Sequence, residues 1–115
     1  MNYQAVHTLA RELRESPEVR EYKRLKNIVE ENDTTRALIK EYKRLQMTVQ
    51  VSAMSGQSVA NDEMSRFQQI SSLLYAGTDT SQYLLAELRL QQALADIYNI
   101  IAQATGMTLE LPGMQ

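Results

Sequence analysis

The pentapeptide Glu-Tyr-Lys-Arg-Leu occurs twice in this chain of 115 residues, at 21–25 and again at 41–45. The match extends to apolar triplets with the same spacing: Tyr22, Leu25 and Val29, then Tyr42, Leu45 and Val49. Steps of three and then four residues place apolar groups on one face of a helix. The lysine and arginine of each copy fall on the opposite face, toward solvent. The repeat therefore predicts two similar amphipathic helices that fold back on each other.

The composition favours long helices and excludes several kinds of chemistry. Gly (4) and Pro (2) are scarce, and with one Phe and no Trp the core must rely on aliphatic and Met side chains. The absence of Cys excludes disulfides, thiolate metal ligands and Cys nucleophiles. No apolar run approaches the roughly 20 residues of a membrane span, and the N-terminus lacks a signal-peptide pattern. We expect a soluble, cytoplasmic protein with no membrane span.

Cap and turn signals divide the chain into five predicted helices. Ser16-Pro17-Glu18 combines a cap residue, a proline suited to the first helical position and an acid for the first turn. Asn32 supplies the next cap, Gly56 a stop, and Asn61 or Asp62 a further cap. The predicted helices are 2–15, 17–31, 33–54, 62–76 and 80–105, followed by a loose tail at 107–115. We expect an all-α fold, a single helical domain over 1–106 built from antiparallel hairpins.

The fifth predicted helix is apolar on nearly every side, and its apolar surface predicts oligomerisation. It would span about 37 Å, whereas a compact domain of this size has a radius of gyration of about 13–14 Å. We infer that a second subunit helps to cover it and completes the bundle, as a dimer or a tetramer. The expected oligomer interface comprises Tyr83, Leu84, Leu90, Leu94, Ile97 and Ile101.

The same helix carries one narrow polar line, formed by Arg89, Gln92, Asp96, Asn99 and Gln103. Its position leaves two arrangements open. The line could face solvent, or it could meet the same line of a symmetry-related subunit and set the register through buried polar contacts.

Charge is unevenly distributed although the net charge is only −2. Residues 1–44 hold ten of the 12 Lys and Arg residues and eight of the 14 Asp and Glu residues. The expected partner-binding surface is basic: Lys23, Arg24, Lys40, Lys43 and Arg44. Glutamates interleave with it, including Glu41 in an i,i+3 pair with Arg44, and the nearby tyrosines face inward.

These features favour protein contact, and direct nucleic-acid binding is not expected. Two alternatives stay open. The basic patch of the second and third helices could form an RNA-binding module, whose affinity would fall steeply with salt. A holdase-like chaperone would instead expose apolar surface that binds hydrophobic dyes in the native state.

No constellation of residues predicts catalysis. His7 is the only histidine, and no carboxylate lies beside it at ligand spacing. The chain has no Gly-rich phosphate loop and no nucleophile elbow. We expect no catalytic residue, no metal site and no cofactor, and therefore no enzyme.

Several stretches together carry a family resemblance over residues 1–111. They are Ser16-Pro17-Glu18-Val19 leading into Tyr22-Lys23-Arg24-Leu25, the Asn32-Asp33 junction, the Gln-rich end of the third helix, and Tyr83-Leu84-Leu85-Ala86-Glu87. With its Leu-rich first helix, the chain resembles the YlbF/YmcA family of small helical bacterial proteins, in particular its YheA-like branch.

The resemblance implies an all-α fold that assembles through antiparallel helix packing. It also implies a regulatory protein of competence, biofilm formation and sporulation, acting within a complex that modulates the membrane-anchored endoribonuclease RNase Y. Such proteins are adaptors and have no catalytic residues. Some of them carry iron–sulfur clusters on cysteines, a property that cannot transfer to this Cys-free chain.

Overall fold

The computed structural model describes residues 1–107, which form five α-helices and no strands. The helices are α1 (Gln4–Glu15), α2 (Pro17–Glu30), α3 (Asp33–Ser55), α4 (Asn61–Ala76) and α5 (Thr78–Thr105). The prediction of an all-α fold with five helices is thereby confirmed. None of these helices has both the length and the apolar character needed to cross a membrane. The predicted tail, apart from residue 107, lies outside the described residues.

Predicted cap residues define several helix ends. At the start of α3, the Asn32 side-chain oxygen accepts the Thr35 N–H at 3.0 Å. Between α1 and α2, the Ser16 hydroxyl accepts the Val19 N–H at 3.3 Å. Gly56 ends α3 with φ of 73°, a left-handed conformation that glycine adopts without steric cost. These local signals explain why the observed helix bounds lie close to the predicted ones.

The predicted cap of α4 is wrong. The helix already begins at Asn61, so Ala60 occupies the capping position and makes no side-chain cap hydrogen bond. Asp62 lies inside the first turn, where its carboxylate accepts the adjacent Glu63 N–H at 3.0 Å. Both expected cap residues therefore act as first-turn residues, and an acid there is favoured by the helix dipole.

Contacts divide the chain into two compact units. One unit contains Lys23–Tyr83, and the other combines Met1–Tyr22 with the chain from Leu84 onward. The expectation of a single domain over 1–106 stays a prediction.

The Lys23–Tyr83 unit contains most of the buried apolar residues. Its buried side chains are Leu25, Val29, Ile39, Tyr42, Leu45, Ile70, Leu74 and Tyr83. Tyr42 stacks on Phe67 of α4 with ring centroids 5.4 Å apart, and its ring meets Tyr75 edge-on at 6.5 Å. These aromatic contacts, worth about 0.5–1.5 kcal/mol each beyond burial, hold α3 against α4.

Candidate functional site

The predicted oligomer interface begins with two residues that the chain itself covers. Tyr83 is 3% exposed and Leu84 is 6% exposed, so the structure places both in the core and not at an open surface. The Tyr83 hydroxyl accepts a hydrogen bond from the Lys43 ammonium at 3.2 Å, and that ammonium lies 5.4 Å from the ring centroid. Lys43, predicted to contact a partner, therefore also fixes the start of α5.

The other four predicted interface residues lie farther along α5 and are less covered. Leu90 and Ile97 are half-buried, whereas Leu94 is 47% exposed and Ile101 is 50% exposed. Their steps of four, three and four residues are those of a coiled-coil seam. We call these four residues the open α5 face.

The polar line of α5 lies on the other side of the helix and is exposed over its whole length: Arg89, Gln92, Asp96, Asn99 and Gln103. Within it, the Gln92 amide donates to the Asp96 carboxylate at 3.1 Å. Leu88 and Ile100, which lie outside the predicted interface, are exposed as well. A second copy that packs on the open α5 face would leave the polar line in solvent.

The five basic residues predicted to bind a partner are all exposed: Lys23, Arg24, Lys40, Lys43 and Arg44. The Arg44 guanidinium donates twice to the Glu41 carboxylate, at 2.8 and 3.0 Å, which confirms the predicted pair. Arg66 of α4 approaches the same carboxylate at 3.2 Å, a contact between helices that sequence spacing does not reveal. Hydrogen bonding to Arg44, and then the charges of Arg44 and Arg66, lower the pKa of Glu41.

A second apolar surface, on α3, was not predicted. Met47, Val51 and Met54 are exposed and continue the line of Lys40 and Arg44 at steps of four, three, four and three residues. We call these five residues the α3 outer face. The signal was available in the sequence as a second apolar spacing on α3, opposite the one that marks the core.

Two concave regions lie on the Lys23–Tyr83 unit, and their described linings contain few titratable side chains. One, of about 320 Å³, lies where the turns before α3 and α5 meet, and Asp79 is the titratable group among its described lining residues. The other, of about 610 Å³, is a groove along α4 lined by serine, glutamine and leucine side chains. Among residues 1–107, no group of three histidines or carboxylates could hold a metal ion.

The fold and these surfaces define a small all-helical protein with exposed apolar and basic helix faces. The chain belongs to the YlbF/YmcA family, described as control of competence regulator ComK, whose profile matches residues 3–105. The resemblance drawn from the sequence motifs is thereby confirmed.

Relatives cover nearly the whole chain. A UPF0342 protein of Halothermothrix orenii is 31% identical over 99 residues, which span 86% of this chain and 84% of the relative. A UPF0342 protein of Caldicellulosiruptor saccharolyticus is 29% identical over 112 residues, 97% of this chain and 93% of the relative. A solved structure from Bacillus stearothermophilus, a protein of unknown function (DUF964), has a TM-score of 0.71 at 16% identity. The structural match covers 90% of this chain and 91% of the solved chain, and at this identity it supports the fold alone.

Proposed function

We propose that this chain is a non-enzymatic regulatory adaptor that acts by self-association and by contacts with other proteins. The observation that carries the proposal is the loss of coverage along α5, from buried Tyr83 to half-exposed Leu94 and Ile101. Four aliphatic side chains at coiled-coil spacing offer a seam for a helix of a second copy. Charge-free and apolar surface of this kind is typical of the centre of a protein interface.

The family supports a regulatory role, because its description is the control of a competence regulator. At a finer level, we propose a cytoplasmic adaptor in a complex that influences RNase Y-dependent mRNA processing, and hence competence, biofilm formation or sporulation. In this proposal the basic residues of α2 and α3 contact the protein partners, while α5 joins the copies.

Light scattering across a dilution series tests self-association. We expect the native chain to have a stable mass that is a multiple of 13.1 kDa. The double variant Leu94→Asp/Ile101→Asp should be a folded monomer, because burying two unpaired carboxylates in an apolar interface is strongly unfavourable. Both positions are half-exposed in the single chain, so the substitutions should leave its helices intact, as circular dichroism can verify.

The matched control is Leu73→Asp on α4, where the leucine is 62% exposed. This variant adds a carboxylate to an exposed apolar site outside the open α5 face and should keep the native mass. A folded Leu94→Asp/Ile101→Asp variant of unchanged mass, or a native chain that is monomeric at every concentration, would contradict the proposal.

A further inference from the structure

The α3 outer face combines charge and apolar surface in an order that self-association through α5 does not explain. Met47, Val51 and Met54 are 61%, 54% and 71% exposed. They stand on the side of α3 opposite buried Leu45, and Lys40 begins the same stripe toward the start of the helix. The stripe is thus basic in its first two turns and apolar in the rest, over about 21 Å.

We propose that the α3 outer face binds an amphipathic helix of a partner protein, with acidic side chains at one end of its contact face and bulky apolar side chains at the other. The inference rests on the proposed adaptor function and names the class of partner. Acidic residues would meet Lys40 and Arg44, while apolar residues would pack on the two methionines and the valine. Methionine suits such a surface because its unbranched, polarisable side chain adapts to different apolar neighbours.

The apolar half of the stripe favours a protein over a nucleic acid. A phosphate backbone would engage Lys40 and Arg44, and it would leave the three apolar side chains in water. A helix that is acidic and then apolar satisfies both halves. Lys40 makes no ion pair with any residue among 1–107, so its charge is available to a partner carboxylate.

Charge also argues against a second copy as the occupant. The open α5 face of another subunit consists of leucines and isoleucines, and Asp96 lies on the opposite, polar side of that helix. Arg44 already pairs with Glu41 of its own chain. A second copy would therefore complement the methionine end of the stripe and leave Lys40 without an acidic partner. A separate helix with its own acidic residues matches the whole stripe.

The test uses the full chain and synthetic helical peptides of about 20 residues, long enough to cover the stripe. One peptide carries glutamates and then leucines along one face, a second carries them in reverse order, and a third is a scramble of the same composition. Fluorescence anisotropy should show saturable binding of at least one ordered peptide, weakened by salt. The scramble should bind at least about tenfold more weakly.

Variants assign the binding to the α3 outer face. Lys40→Glu and Met47→Ser/Met54→Ser should each weaken binding by roughly tenfold or more, through loss of charge attraction and of apolar burial respectively. The matched controls are Arg11→Glu, an exposed arginine on α1, and Leu73→Ser, an exposed leucine on α4. Both controls should bind the peptide as the native chain does.

Three results would overturn the inference. The ordered peptides could bind no better than the scramble. A single-stranded RNA could bind in a manner that Lys40→Glu abolishes and Met47→Ser/Met54→Ser does not change, which would assign the face to nucleic acid. The methionine variants could reduce the mass seen by light scattering, which would assign the face to a second copy. If the native chain keeps its oligomeric mass but binds neither ordered peptide better than the scramble, this inference is refuted and self-association through α5 still stands.

Discussion

The two compact units of this chain differ in how completely they bury their apolar surface. Within residues 1–107, eight of the nine buried apolar side chains belong to Lys23–Tyr83, and the other unit contributes only Leu84. That other unit contains the open α5 face, in which Leu94 is 47% exposed and Ile101 is 50% exposed. One unit thus buries or half-buries most of its large apolar side chains, while the other leaves exposed the apolar surface on which the proposed self-association depends.

The two copies of the repeated pentapeptide differ in burial in the same way as the two units. Substituting their tyrosines gives the largest expected effect on the free energy of unfolding. Tyr42 is buried against Phe67, whereas its counterpart Tyr22 belongs to the other unit and is half-buried. We expect Tyr42→Ala to lower the free energy of unfolding by about 3–5 kcal/mol and Tyr22→Ala to lower it by less than half as much. Urea denaturation at one fixed protein concentration measures both. Equal losses would show that the two units are equally well packed.

A pair of leucines extends the comparison beyond the repeat. Leu45 of α3 is 1% exposed and Leu88 of α5 is 61% exposed. We expect Leu45→Ala to destabilise the chain by about 2–5 kcal/mol, because it leaves a cavity between packed helices. Leu88→Ala should change stability by only about 0.5 kcal/mol. A large loss at Leu88, measured by the same denaturation at low protein concentration, would mean that α5 is covered more fully than its exposure indicates.

The junction between α4 and α5 tests how tightly the Lys23–Tyr83 unit is packed at its end. A Cβ on Gly77 would lie 2.5 Å from the Thr80 hydroxyl oxygen, which donates to the carbonyls of Leu74 and Gly77. Gly77→Ala should therefore cost about 1–3 kcal/mol. In a Thr80→Ala background the same change should cost less, since the clashing atom is gone.

Gly56, at the end of α3, is the matched control for this double-mutant cycle. Its φ is 73°, and among residues 1–107 no heavy atom beyond its chain neighbours lies within 4 Å of the site of a Cβ. Gly56→Ala should cost about 1–2 kcal/mol from the left-handed backbone alone, with no coupling to Thr80. If Gly56→Ala and Gly77→Ala were both energetically coupled to Thr80→Ala, the steric explanation for Gly77 would be contradicted.

Local signals in the sequence were sufficient for the helices and for much of the core. Asn32 and Gly56 mark the ends of α3 because capping depends on neighbouring residues alone. The apolar spacing on α3 correctly placed Tyr42 and Leu45 in the core, but it omitted Ile39, which lies beside the same stripe and is also buried. The predicted buried face of α3 was too narrow, because a helix that packs against several neighbours buries more than a single line of residues.

Long-range contacts could not be read from spacing. Tyr83 was predicted to lie at the oligomer interface because helical periodicity identifies an apolar face. Periodicity does not show which part of that face is buried by other residues of the same chain. The hydrogen bond from Lys43 to Tyr83 joins residues forty positions apart. The contact between Arg66 and Glu41 likewise depends on how α4 packs against α3. The α5 interface and the basic surface were therefore predicted from the pattern of residues along the helices, whereas the α3 outer face was not, and the extent of each surface required the fold.

The smallest expected effect concerns this cluster of Glu41, Arg44 and Arg66, which joins α3 to α4 on the surface of the well-packed unit. The pKa of Glu41 is lowered in the folded chain, chiefly by its hydrogen bonds from Arg44. The stabilisation it provides is therefore complete above the pKa of the unfolded state, about 4.3, and is lost as pH falls through the lower folded value.

The stability difference between the native chain and Glu41→Gln should shrink between about pH 6 and about pH 3. Thermal unfolding across this range measures it, and Glu41→Gln in an Arg44→Gln background is the control, because without Arg44 the difference should depend much less on pH. A difference that stayed constant with pH would show that the exposed pair contributes to the geometry of α3 and not to its stability, as is common for ion pairs in contact with solvent.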